Sequence, residues 1–271
     1  MEKQTLSMKD IMKMEKKDQL NSLYEFFNED TRLNHSKASR VEFITTMTYI
    51  ERVLKKGMRI LDVGAGAGEY SLALAQKGYH MDALEFAKPN VDAFQAKIGD
   101  LSVDLVEGDA RDLSRYADQS FDVVLLMGPL YHLHEPSDRE RALAEAKRVL
   151  KTGGHLFVAF IANDMIPMTE FMYRPNFFTE DSYDHDTFKV YDEPFVFMTL
   201  DEMKATVKDD ALAIKHIVAV DGLSELLEDH INRMPEADYN QYLKYHLYCC
   251  EKPEHLGKTN HTLFVLEKRD K

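Results

Sequence analysis

The sequence predicts an α/β protein built on an open, doubly wound sheet, and three observations carry this prediction. Residues 60–68 read Ile-Leu-Asp-Val-Gly-Ala-Gly-Ala-Gly, an apolar run typical of a buried strand that breaks into three alternating glycines. A helix of small residues follows from Ser71. From Met58 to about Phe160 strand-like and helix-like segments alternate, and this order requires parallel strands joined by right-handed crossovers.

Two helices are expected before the first strand, over residues 20–27 and 36–54. The second has Phe43, Met47, Ile50 and Leu54 at helical spacing before a Lys-Lys-Gly stop signal. The alternating region then gives strands at 59–63, 80–85, 103–107, 123–127 and 155–161, with helices at 71–77, 89–97 and 138–150.

Regular alternation stops after the fifth strand. Residues 163–198 carry nine aromatic side chains and four methionines among acids and prolines, too many for a linker and too irregular for one element. We expect an insertion that caps the carboxyl ends of the strands. A helix at 200–208, a sixth strand at 211–220, a helix at 236–250 and a last strand at 261–268 complete the chain.

Composition excludes several classes of protein. The 271 residues carry a net charge of −13 and no basic run, so nucleic acid is an unpromising partner. No stretch reaches the roughly 18 apolar residues of a membrane span, and Met1 is followed by charged residues rather than a signal sequence. The two cysteines, Cys249 and Cys250, are adjacent and poorly placed for a disulfide or a metal. These features predict a cytoplasmic protein without a membrane partner.

The glycine turn narrows the class of ligand. A dinucleotide fingerprint, GxGxxG, needs a third glycine where this chain has Glu69, and a carboxylate there would repel a diphosphate. No GxxxxGK[ST] sequence is present for a triphosphate. The turn therefore favours a cofactor with an adenosine and little or no phosphate.

With Asp62 ahead of the glycines, this stretch resembles the first motif of the class I S-adenosylmethionine-dependent methyltransferases. Glu85, about twenty residues past the first glycine, matches the acid that holds both ribose hydroxyls in that family. Residues 106–110 resemble the segment whose aspartate, here Asp109, contacts the adenine amino group. Residues 121–132 resemble the fourth strand with its active-site loop, and 146–154 the turn before the fifth strand.

The resemblance implies S-adenosyl-L-methionine as cofactor, S-adenosyl-L-homocysteine as product, and a Rossmann-like sheet of seven strands, mostly parallel. Its antiparallel last strand, matched by residues 262–266, would lie at the sheet edge. The expected divisions are an N-terminal arm and helix (1–35), a cofactor-binding core (36–161), a lid (162–200) and the C-terminal part of the core (201–271). The first 18 or so residues of the arm would close over the cofactor. The implied cofactor-binding residues are Asp62, Gly64, Ala65, Gly66, Gly68, Glu85, Phe86, Asp109, Ala110 and Met127.

The acceptor side is expected in the loop Gly128-Pro-Leu-Tyr-His132. Methyltransferases of nucleic-acid amines carry Asn or Asp, Pro, Pro and an aromatic residue here, so Gly128 and Leu130 count against base N-methylation. His132 is a candidate base, and Tyr131 would pack on the sulfonium or position the acceptor. The alternative reading is a hydrogen-bonded loop histidine beside a packing tyrosine.

The helix at 236–250 offers a second candidate for the acceptor pocket. Tyr239, Tyr242 and Tyr245 share one face, which is more often a core stripe than a pocket wall. In the pocket interpretation Tyr245 or His246 contacts the acceptor. The histidines lack an HExxH spacing, so no metal site is expected.

The leading hypothesis is transfer of a methyl group by in-line displacement to a small-molecule acceptor, because an aromatic insertion would build an enclosed pocket. An RNA or protein methyltransferase and a non-catalytic module that binds the cofactor are the alternatives, and Glu69 argues against a nicotinamide-dependent oxidoreductase. The sequence leaves carbon, oxygen, nitrogen and sulfur acceptors open, together with the oligomeric state.

Overall fold

A computed structural model describes residues 14, 16–26, 32–192 and 194–270, so most of the arm predicted over residues 1 to about 18 lies outside the described residues. The described part contains an eight-stranded sheet with the order β3-β2-β1-β4-β5-β8-β7, in which β6 pairs with the end of β5. The strands are β1 (Ile60–Val63), β2 (Met81–Glu85), β3 (Val103–Glu107), β4 (Phe121–Leu126), β5 (Leu150–Ala162), β6 (Phe197–Met198), β7 (Leu212–Ala219) and β8 (His261–Lys268).

The helices follow the predicted alternation through the first five strands. They are α1 (Lys16–Phe26), α2 (Arg40–Val53), α3 (Glu69–Gln76), α4 (Lys88–Ile98), α5 (Pro136–Val149), α6 (Ile166–Tyr173), α7 (Leu200–Thr206), α8 (Glu228–Asn232), α9 (Glu236–Cys249) and α10 (Pro253–Leu256). Short 3-10 turns lie at Pro129–Tyr131 and Phe177–Thr179. None of the helices in these described ranges is both long and apolar enough to cross a bilayer.

Strands β1 to β5 are all parallel, and β8 is antiparallel to β5 and β7. The predicted α/β class and the antiparallel last strand are therefore confirmed. The sheet is buried on both faces: alternate residues of β1, β4 and β5 enter two apolar layers, one closed by α5 and the other by α2 and α3.

The position of the last strand at the sheet edge is wrong. Strand β8 lies between β5 and β7, and β7 forms the edge. The burial pattern explains this order, because residues 262–266 of β8 are all buried, whereas β7 leaves positions such as Ile214 and Lys215 open to solvent. A strand that is apolar on both faces is stable only with a neighbour on each side.

The insertion after β5 builds a small core of its own. Phe177, Tyr183, Val190 and Phe197 are buried together against Ile161 near the end of β5. Strand β6 pairs Phe197 with Ile161, an addition to the sheet that the sequence pattern did not predict. Part of the aromatic content of the insertion therefore holds the segment onto the carboxyl edge of the sheet.

Candidate functional site

A cavity of about 1020 Å³, its open mouth included, lies at the carboxyl ends of β1, β2 and β4. This is the edge where open α/β sheets bind ligands, beside the point at which the strand order reverses. The walls come from the glycine turn, the ends of β2 and β3, the loop after β4 and the helix α1. Nine of the ten predicted cofactor-binding residues line it: Asp62, Gly64, Ala65, Gly66, Glu85, Phe86, Asp109, Ala110 and Met127.

Close backbone approach explains the glycine at position 64. Gly64 has a φ of +75°, and a Cβ built on it would lie 2.6 Å from the ring of Pro129. Its N–H donates to the Leu84 carbonyl at 2.7 Å, so the turn is tied to β2 as well as to the loop after β4. The turn therefore brings three strand ends together at the cavity.

Gly68, the tenth predicted residue, does not line the cavity. It begins α3 with a φ of +88°, and a Cβ there would overlap the ring of Phe94. The glycine is required for packing α3 against α4. The motif places Gly68 in the right turn, but its contact is with the protein core.

Glu85 projects from the end of β2 toward the turn and is only 5% exposed. Its carboxylate accepts hydrogen bonds from the N–H groups of Gly66 at 2.9 Å and Ala87 at 2.8 Å, and from the Asn90 amide at 3.3 Å. These donors fix the carboxylate against the cavity wall. A fixed acceptor of this kind suits a pair of ligand hydroxyls.

Asp62 is the most deeply buried acid of the site, at 2% exposure. The Ser71 hydroxyl donates to it at 2.7 Å. Burial raises the pKa of Asp62 to about 7, the Ser71 hydrogen bond opposes that rise, and repulsion from Glu85 adds to it. A cationic ligand group in the cavity would favour the ionised form.

Asp109 comes after β3 and is gripped by Arg111, whose guanidinium donates to both carboxylate oxygens at 2.6 to 3.1 Å. Burial pushes the pKa of Asp109 up, but the hydrogen bonds from Arg111 outweigh burial and hold that pKa below its usual value. Arg111 also donates to Asp138 at 2.8 Å. The guanidinium at this end of the cavity is thus already paired with two carboxylates.

The loop after β4 places Tyr131 and His132 on the cavity wall. The His132 ring is 7% exposed, and its Nε2 lies 2.7 Å from the hydroxyl of Tyr24 on α1. Phe195, from the insertion, packs edge-on against the ring of His132 at a centroid distance of 5.2 Å. The Tyr131 carbonyl accepts from the Val196 N–H at 2.8 Å, so α1 and the insertion meet at this loop.

Sequence reasoning missed the contributions of α1 and of the segment after it. Leu20, Tyr24, Arg32 and Leu33 line the cavity, as does Arg111. The apolar cluster over residues 20–27 was a usable signal, because a helix of this kind must cover something. Nothing local in the sequence indicated that it covers the carboxyl edge of the sheet.

The structure does not bring Tyr245 and His246 to the cofactor cavity. They line a separate cavity of about 490 Å³ beside Cys249 and Cys250. His246 is buried, with Nε2 donating to the Val220 carbonyl at 3.1 Å, and burial lowers its pKa. The predicted acceptor contact has no support here, because α9 packs through Tyr239 against residues of α2 and α8.

Comparison with known proteins agrees with this geometry. A family model described as a methyltransferase domain matches residues 61–158. The chain is 36% identical over 113 residues to the demethylmenaquinone methyltransferase of Clavibacter sepedonicus, covering 41% of this chain and 44% of that protein. It is 37% identical over 103 residues to the cypemycin N-terminal methyltransferase of a Streptomyces species, covering 38% and 41%.

A solved protein of Pyrococcus horikoshii OT3 shares the fold, with a TM-score of 0.59 and 17% identity over 91% of this chain and 98% of that chain. The match to the two curated relatives is partial, since the chain spans less than half the length of either one. The family model covers the part of the cavity built between β1 and β5, but not the part built by α1 and the segment after it. Residues 61–158 are therefore similar to a methyltransferase domain.

Proposed function

We propose that the chain transfers a methyl group from S-adenosyl-L-methionine to a small-molecule acceptor. One observation carries the proposal most directly: the cavity at the glycine turn is lined by four carboxylates. They are Asp62, Glu69, Glu85 and Asp109. Arg32 and Arg111 also line the cavity, so the carboxylates exceed the guanidinium groups by two. A site with this excess of acids suits a ligand with hydroxyls and positive groups and disfavours a diphosphate.

The donor set fits the parts of S-adenosylmethionine. Glu85, held by backbone N–H groups, would accept from the ribose hydroxyls, and Asp62 would face the ammonium of the amino-acid part. Phe86, Ala110 and Met127 supply apolar surface for the adenine. The bound cofactor supplies a methyl group on a sulfonium, which is already activated for displacement.

The protein's part in such a reaction is to align the acceptor, exclude water and take up a proton where the acceptor must lose one. Helix α1 and the insertion, whose residues 162–200 we propose as the lid, cover the loop that carries Tyr131 and His132. We assign proton uptake to His132 and the positioning of its ring to Tyr24, since Nε2 and the tyrosine hydroxyl lie in hydrogen-bond contact.

The relatives do not carry the acceptor over to this chain. One is named for demethylmenaquinone and the other for the N-terminus of cypemycin, and the two matches cover 41% and 38% of this chain. A small acceptor is favoured here because the insertion packs on the loop after β4, which forms one wall of the site. An RNA acceptor is disfavoured by the net charge of −13.

Calorimetric titration of the full chain tests the cofactor assignment. S-adenosylhomocysteine should bind and raise the melting temperature, whereas NAD⁺ should do neither. Glu85→Gln should weaken S-adenosylhomocysteine by about 5- to 150-fold, equivalent to about 1 to 3 kcal/mol, because one oxygen becomes a donor facing ligand hydroxyls.

Glu107→Gln is the matched control. Glu107 lies opposite Glu85 in the β2–β3 register, at the same height of the sheet, and does not line the cavity. Its variant should bind like the parent protein. Equal binding of NAD⁺ and S-adenosylhomocysteine, or equal losses in both variants, would contradict the assignment. Incubation with methyl-labelled donor and a metabolite extract should then yield a labelled small molecule, and label on protein or RNA alone would favour the alternatives.

A further inference from the structure

A second cavity, of about 750 Å³, lies beside the first. Its walls come from α2, the segment after β7, the start of β8 and Tyr173 of α6. Because β8 runs antiparallel, its first residue and the end of β7 both lie at the carboxyl edge of the parallel strands. Arg32 lines both cavities, so the second one adjoins the cofactor cavity on the side away from β2 and β3.

Most of the charge in this second cavity is internally compensated. Arg32 donates to Glu42 at 2.8 Å. His261 meets Asp221 at 2.8 Å, and although burial alone would lower the pKa of His261, Glu42 and Asp221 raise it to about 9, so the ring is protonated at neutral pH. Glu228, on the same wall, lies 3.7 Å from a ring nitrogen of His35.

Glu225 differs from these acids. Its two hydrogen bonds come from neutral groups, the Tyr173 hydroxyl at 3.2 Å and the Asn260 amide. Within the described residues no Lys, Arg or His forms an ion pair with it. Burial raises the pKa of Glu225, and repulsion from Asp221 adds to the rise. The protonated His261 ring opposes that rise, but it does not form an ion pair with Glu225 and is in contact with Asp221 instead.

We propose that the second cavity is the acceptor subsite and that it takes a small amine, which enters as an ammonium and pairs with Glu225. The proposal rests on the proposed function and specifies its acceptor. Three features support it together: the cavity shares Arg32 with the cofactor site, Tyr173 of the insertion lines it, and Glu225 forms no ion pair of its own among the described residues.

Methyl transfer to such an acceptor follows simple chemistry. The ammonium held by Glu225 gives a proton to His132, the base proposed above, from which it passes to water. The lone pair of the neutral amine then forms the N–C bond while the C–S bond breaks and its electron pair goes to sulfur. The product is a methylated ammonium and neutral S-adenosylhomocysteine, so charge and atoms balance.

A metal is a poorer occupant of the same walls. Glu42, Asp221 and His261 lie close enough together to ligate an ion. A protonated imidazole cannot act as a ligand, however, and the Asp221 contact keeps the ring protonated. The ion pair already satisfies these three side chains.

The test is calorimetric titration of the full chain, saturated with S-adenosylhomocysteine, against a set of small aliphatic and aromatic amines. Each amine is paired with the alcohol and the carboxylate of the same skeleton, for example 2-phenylethylamine with 2-phenylethanol and phenylacetate. At least one amine should bind at least 10-fold more tightly than both of its partners. Amines that bind no better than their alcohols, or the absence of amine binding throughout the set, would overturn the proposal.

Glu225→Gln keeps the shape of the side chain and should weaken the bound amine at least 10-fold while leaving S-adenosylhomocysteine affinity unchanged. Glu170→Gln is the control, since Glu170 is on α6 and pairs with Arg174 outside both cavities. Unchanged amine affinity in Glu225→Gln would overturn the assignment of Glu225. Failure of the parent chain to bind S-adenosylhomocysteine would instead contradict the proposed function, so the two failures are distinguishable.

Discussion

Replacing Gly64 by alanine tests whether the glycine turn is held against the loop after β4. The φ of +75° costs an alanine about 1 to 2 kcal/mol, and the added Cβ would lie 2.6 Å from the Pro129 ring. Overpacking of this kind costs about 1 to 3 kcal/mol more, while the stiffer unfolded chain returns about 0.4 to 1 kcal/mol. We therefore expect a loss of about 1 to 4.5 kcal/mol in the free energy of unfolding.

Gly78→Ala is the matched control, because Gly78 has a φ of +90° and nothing within 4 Å of its added Cβ. Its loss should be about 0 to 1.5 kcal/mol, and the difference between the two variants, measured by urea unfolding, isolates the contact with Pro129. Adding Pro129→Ala to Gly64→Ala removes the overlapping ring atoms and should recover most of that difference. Equal losses in the two single variants, or no recovery in the double variant, would refute the reasoning.

Three further predictions concern titration and positioning. Because burial raises the pKa of Asp62 to about 7, ionisation of this carboxyl destabilises the folded state as pH rises from about 4 to 7. Asp62→Asn should therefore raise the free energy of unfolding at pH 8 by up to about 4 kcal/mol, and it should weaken the binding of S-adenosylhomocysteine. An unchanged free energy of unfolding or an unchanged affinity would contradict this prediction. The pKa of His261 is raised to about 9, so its contribution to stability should be complete below about pH 6.5 and vanish as pH rises through 9. That contribution is at most about 3 kcal/mol, and it is reduced because 22% of the side chain is exposed. His261→Asn should remove the fall in the free energy of unfolding, measured by urea denaturation, between about pH 6.5 and pH 9. An unaltered pH dependence would count against the ion pair with Asp221. Tyr24→Phe removes the hydroxyl at His132 Nε2 and should lower kcat without changing donor affinity, whereas a loss confined to donor affinity would assign Tyr24 to cofactor binding.

The cofactor half of the site was predictable because its determinants are local in sequence. Gly64, Glu85 and Asp109 each lie at the carboxyl end of a strand or just after it, and parallel strands bring their carboxyl ends to one edge. Once the strands were located, the meeting of these residues followed from topology alone.

The rest depended on contacts between distant segments. Tyr24 and His132 are 108 positions apart, and no periodic pattern connects them. The position of β8 between β5 and β7 likewise depends on which strands pair, although the uninterrupted apolar run of β8 could have excluded a position at the sheet edge. Tyr245 shows the opposite difficulty, because helical spacing of tyrosines is typical both of a stripe that packs in the core and of a pocket wall. The spacing alone does not distinguish the two.

The most direct test of the account is a crystal structure of the full chain with S-adenosylhomocysteine. The account predicts both ribose hydroxyls within about 2.5 to 3.0 Å of the Glu85 carboxylate and the amino-acid part against the turn that holds Gly64 and Gly66. A ligand bound elsewhere, or a ribose that contacts no oxygen of Glu85, would contradict it.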